Sequence, residues 1–95
     1  MSEQNENLQE IEKHRAQIDE LDREIVKLLN ERAFHSLTIR NLKPGAGMKL
    51  FDAKREDAIF GKVCALNAGP LADDNVKEIY ATLLKVMKEA PGLPE

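Results

Sequence analysis

The sequence predicts an all-α chain of three helices, one long and two shorter, on three observations. Apolar residues recur in a three-four alternation from Leu8 to Leu42, and neither Pro nor Gly falls among them. Two breaker clusters, "PGAG" at 44–47 and "NAGP" at 67–70, then divide the remainder into two further helix-length pieces. The composition agrees: Trp is absent, aromatics make up only 4%, and the charged residues, 33% of the chain, are interspersed as on helix surfaces.

The first helix is expected from about Leu8 to Lys43. Ile11, Ile18, Ile25 and Ile39 repeat every seven residues with Arg32 in the fourth place of the series, and His14, Leu21, Leu28, His35 and Leu42 form the companion series. This is a coiled-coil-type seam. Such a helix is about 54 Å long at 1.5 Å per residue, whereas a compact monomer of this length has a radius of gyration of about 12 Å. The seam would therefore lie in water, and a second copy of the chain is expected to cover it. Residues 1–7 are polar and expected to be flexible.

A loop over 45–51 follows. Asp52 has the chemistry of an N-cap for a second helix over 53–67, with Ile59, Val63 and Leu66 turned inward. Gly69 suits a left-handed turn and Pro70 prevents continuation. The third helix is expected from about 72 to 89, opened by Asp73 and Asp74, which the helix dipole favours. Its apolar stripe is Val76, Ile79, Tyr80, Leu83 and Met87. The chain is thus read as one helical domain over 8–90, with a C-terminal tail at 91–95.

Charge and composition exclude several functions. A net charge of −3 without a lysine-rich block speaks against nucleic acid, and apolar runs of only a few residues speak against a membrane span. "MSEQNENLQE" has neither the basic nor the apolar region of a secretory signal, and the single Cys64 suits a reducing compartment, so a cytoplasmic location is expected. Cys64 has no His near it in sequence and reads as packing. His14 and His35, twenty-one residues apart, make no metal motif. "PGAG" lacks the spacing of a phosphate loop.

The informative residues are cations on the side that should be dry. Arg32 and Lys43, eleven residues apart, return to within about 20° of one direction, and a buried cation needs an anion. Arg15 lies roughly 100° away from Arg32, so it cannot easily serve the same pocket within one chain, whereas in an antiparallel dimer it could reach the pocket of the other. Each residue alone has a bland reading. Arg15 can be an ion-paired flank, Arg32 can pair with a partner's Glu, and Lys43 suits a helix C-terminus. Arg55 and Glu56 in "DAKRED" can be an exposed pair. Together, Arg15, Arg32, Lys43 and Arg55 with Glu56 as the one carboxylate suit a small dicarboxylate, because guanidinium and carboxylate match bidentately.

With "RAQIDELDREIVKLLNERA" (15–33), "IRNLK" (39–43), "FDAKRE" (51–56) and "LNAGPL" (66–71), the sequence resembles the all-helical class of chorismate mutases from about residue 8 to 86. The resemblance implies an intertwined homodimeric helical bundle that converts chorismate to prephenate, with no cofactor and no metal, for phenylalanine and tyrosine synthesis. It implies that Arg15 from the partner chain binds a substrate carboxylate and that Arg32 binds one within its own chain. Lys43 would donate to the departing ether oxygen and to a carboxylate. Asp52, chiefly through its backbone, and Glu56 would hold the ring hydroxyl, and Arg55 would line the pocket. Arg32, Lys43 and Glu56 are the residues expected to carry catalysis.

The physics suits that reaction, a unimolecular rearrangement that needs no nucleophile or base. Fixing the enolpyruvyl arm over the ring supplies several kcal/mol, roughly, and an ammonium at the developing oxyanion about 3–4 kcal/mol. One part departs from the family. Its last helix usually supplies a small hydroxyl residue and, four residues on, a Gln or Glu to the ether oxygen, but Met87 and Pro91 stand there. Glu89 lies about 200° around the helix from the Pro91 direction. A weakened ether-oxygen contact with reduced turnover is expected, or a C-terminus that bends to bring in another group. The alternatives are an isochorismate pyruvate lyase, a non-catalytic or weakly catalytic regulatory module of the aromatic pathway, and a coiled-coil adaptor.

Overall fold

The computed structural model describes residues 2–93. Among them are three α-helices, α1 (Ser2–Leu42), α2 (Ala53–Leu66) and α3 (Asp73–Glu89), and a 3-10 turn at Pro44–Ala46, with no strand among the described residues. The residues group into two units, Met1–Ala33 and Phe34–Glu95, with the boundary inside α1.

The first unit consists of the N-terminal turns of α1. The helix starts at Ser2 rather than near Leu8, because the opening polar residues contain no breaker and include Glu and Gln, which favour helix. Met1 in the expected flexible segment, and residues 94 and 95 of the expected tail, lie outside the described residues. Three ion pairs run along the exposed face, Glu10–Lys13 at 3.3 Å, Glu12–Arg15 at 2.9 Å and Glu20–Arg23 at 3.1 Å. Each places the acid N-terminal to the base, the arrangement the helix dipole prefers. The seam residues Ile11, Ile18, Leu21, Ile25 and Leu28 remain 45–58% exposed in the single chain.

The second unit holds the buried core, namely Leu37, Leu84 and Met87. Here α2 packs against α3, with Ile59, Phe60 and Val63 and, opposite, Val76, Tyr80 and Leu83 half-buried. Met87 is inward as the stripe requires. Leu66 and Ile79 are not: they are 81% and 53% exposed. Leu66 is the last residue of α2, and Phe60 joins the inward row that the sequence pattern had extended to Leu66. At the end of α1, Arg40 Nη1 donates to the carbonyls of Lys88 at 3.1 Å and Ala90 at 3.0 Å. These carbonyls, at and just beyond the end of α3, have no helical partner, so a cation there is favoured twice, by hydrogen bonding and by the dipole.

The turns follow local chemistry. Lys43 still makes a helical bond, its N–H donating to Ile39 O at 2.9 Å. Pro44, which has no N–H to give, opens the 3-10 turn, and Gly47 ends it at φ 72°, a left-handed conformation suited to glycine. Between α2 and α3, Asn67 Nδ2 donates to Leu71 O and to Asp73 Oδ1, both at 2.8 Å, while Gly69 N–H donates to Asn67 Oδ1 at 3.1 Å. Asn75 reaches back to accept from the Ala72 N–H at 3.0 Å. Truncating Leu84, in so small a core, is expected to lower stability by about 3 kcal/mol. Urea denaturation of Leu84→Ala beside wild type, at one protein concentration, measures this.

Candidate active site

Four of the six candidate residues lie in the second unit, around the start of α2. Asp52 is the N-cap: its backbone is extended and its Oδ1 accepts from the Arg55 N–H at 3.0 Å. This satisfies one of the orphan donors of the first turn. Glu56 follows in the same turn, its N–H donating to Asp52 O at 3.1 Å, where the positive end of the helix favours a carboxylate. Its side chain is only 25% exposed, and Oε2 is 3.0 Å from Lys88 Nζ on α3. Arg55 is exposed.

Lys43 is half-buried, and its Nζ donates to Leu50 O at 2.8 Å. The ammonium therefore folds back onto the segment that leads into α2 instead of extending into solvent. Three consecutive residues of that segment are each held: Leu50 through its carbonyl by Lys43, Phe51 through its ring by Lys88 Nζ at 4.7 Å, and Asp52 through the cap. The positive charge over the Phe51 ring face is a cation–π contact.

The other two candidates belong to the first unit. Arg15 is paired with Glu12 at 2.9 Å and is 69% exposed, the ion-paired flank of its bland reading. Arg32 is half-buried. Two shallow surface grooves near Leu8 contain none of the six candidates. Among the described residues no cluster of His, Cys, Asp and Glu has the arrangement of a metal site.

Met87 is buried with only 7% of its surface exposed, and Pro91 is exposed. Neither offers a donor at the end of α3. The polar group that α3 does direct toward the start of α2 is Lys88, which sequence reasoning missed. Lys88 stands one residue beyond Met87, and its partner Glu56 is thirty-two residues away, so no local pattern pointed to it.

Residues 14–90 match the family model described as chorismate mutase type II. A bifunctional chorismate mutase/prephenate dehydratase of Neisseria gonorrhoeae (strain ATCC 700825 / FA 1090) is 41% identical over 71 residues, 75% of this chain and 19% of that protein. The enzyme of the same name from Aquifex aeolicus (strain VF5) is 38% identical over 73 residues, 77% of this chain and 18% of its own length. The chain thus spans under a fifth of these curated relatives. Among solved structures, form II of the chorismate mutase from Thermus thermophilus aligns with a TM-score of 0.82 at 28% identity, covering 88% of this chain and 99% of that one. Form I of the same enzyme aligns with a TM-score of 0.78 at 29% identity, covering 82% and 98%.

Replacing Asp52 by Ala is expected to lower stability by about 1 kcal/mol through loss of the cap, with Asp52→Ser recovering most of it. Urea midpoints of the three proteins test the assignment.

Proposed function

The chain belongs to the chorismate mutase type II family, and from that premise we propose that it rearranges chorismate to prephenate, as a homodimer in the cytoplasm and without a cofactor. The observation that carries this reading is that the family match over 14–90 encloses Arg15, Arg32, Lys43, Asp52, Arg55 and Glu56, each of the type the reaction needs.

Chorismate presents two carboxylates, a ring hydroxyl and a scissile ether. Arg32 clamps one carboxylate, and Arg15 of the second copy takes the other. An ammonium has three N–H donors. One of Lys43's goes to Leu50 O, which leaves two for the substrate, one on a carboxylate and one on the ether oxygen where negative charge grows. Because that contact strengthens as the C–O bond breaks, it lowers the barrier rather than merely adding affinity. The ring hydroxyl sits between the Asp52 backbone and the Glu56 carboxylate, and Arg55 lines the cavity beside them. No proton leaves the substrate, so the residues hold, orient and stabilise charge without acting as acid or base.

The homodimer is supported by the α1 seam. Five Ile and Leu side chains there remain about half exposed in one chain, and fully burying each contributes roughly 1.5–3 kcal/mol. The apolar Met87 at a position where the family usually offers a hydroxyl favours slow turnover, and a weakly catalytic binding module is the second reading on that ground.

Loss of chorismate absorbance with wild type beside Lys43→Ala tests the proposal. Wild type is expected to accelerate the reaction over buffer, and Lys43→Ala to lose about 100- to 1000-fold in kcat with an unchanged helical spectrum. No acceleration at micromolar wild-type protein rejects the enzyme; calorimetric binding of prephenate without turnover then supports the binding module. Sedimentation equilibrium of wild type is expected to give twice the chain mass.

A further inference from the structure

We propose that Lys88 is a positioning residue for Glu56 and, through it, sets affinity for a substrate that carries a ring hydroxyl; this rests on the chorismate mutase reading. Lys88 Nζ lies 3.0 Å from Glu56 Oε2 and 4.7 Å from the centre of the Phe51 ring. It therefore ties the C-terminal end of α3 to the residue before the α2 cap and to the carboxylate in the first turn. Its own backbone is fixed as well, since Lys88 O and Ala90 O both accept from Arg40 Nη1.

An ion pair between solvent-exposed chains contributes little, because two long side chains must be ordered and water screens them. Here Glu56 is only 25% exposed, although Lys88 is 49% exposed, and the ring and the Arg40 clamp already restrict where the ammonium can go. Three consequences follow. Engaging Oε2 fixes the carboxylate plane and directs the other oxygen to accept from a hydroxyl. The ammonium offsets the Glu56 carboxylate, which a dianionic substrate would otherwise meet without a counter-charge. With Met87 buried and apolar, Lys88 is also the polar contribution of α3 to this end of the site.

The ring hydroxyl stands on the carbon next to the one whose C–O bond breaks, but it makes and breaks no bond and carries no developing charge. Its contact therefore changes little between ground and transition states, and its loss appears chiefly in KM. Lys88→Met is expected to raise KM for chorismate about three- to fivefold, the scale of a partly exposed pair, with kcat within about twofold. Lys88→Arg restores KM. In a Glu56→Gln background, adding Lys88→Met produces no further rise, because a neutral amide needs no counter-charge. Circular dichroism verifies folding, and Lys88→Gln replaces the Met variant if that one fails to fold. Wild-type KM in Lys88→Met, a raised KM that Lys88→Arg does not restore, or full additivity with Glu56→Gln overturns the proposal while leaving the mutase reading intact. Absence of turnover by wild type overturns the mutase reading and this inference with it.

Discussion

An apolar seam that one chain leaves in water is the constraint on which the rest depends. The isoleucine and leucine rows of α1 follow a heptad, yet about half of each side chain in the N-terminal unit faces solvent, while the buried apolar residues among those described are Leu37, Leu84 and Met87, each still 7% exposed. A small domain gains stability chiefly from the apolar area it removes from water. In the proposed homodimer a second copy would cover the seam, add the missing core and bring Arg15 to the other copy's substrate. Stability and the completeness of the site then share one cause.

The second unit shows how a loop can be made rigid without a core of its own. Leu50, Phe51 and Asp52 are held in turn by a lysine ammonium, a cation–π contact and a capping bond. Two of these three contacts involve residues proposed to act on substrate, Lys43 and Asp52. The same bonds that order the entry to α2 therefore also orient the groups that must be in place before substrate arrives. Preorganisation of this kind removes the cost of reorganising dipoles during the reaction. Arg40 extends the scheme by binding the carbonyls at the end of α3.

The departure at Met87 and Pro91 gains physical meaning from burial. Met87 contributes to the core with Leu84 and Leu37, so the end of α3 exchanges a polar contact for packing. Its neighbour Lys88 turns instead to Glu56. The helix still contributes charge to the start of α2, from a side chain one position along.

Local chemistry decided what the sequence made legible. Asp52 as a cap, the stop at Pro44, the left-handed Gly69 and the acidic start of α3 each depend on residues within a turn of one another. The inward placement of Met87 followed from the 3.6-residue period. The helix start at Ser2 was missed because the polar opening carries no hydrophobic pattern, although its residues favour helix. Periodicity alone places Leu66 and Ile79 inward, whereas the packing of α2 on α3 leaves them exposed. The Lys88–Glu56 pair and the Arg40 clamp join residues that chain order keeps far apart. The sequence by itself therefore determined the helices, their ends apart from the start of α1, and the chemical types at the six candidate positions, because those depend on near neighbours and on side-chain identity. Only the tertiary structure decided which charge meets which, since that depends on the docking of helices whose faces many side chains set jointly.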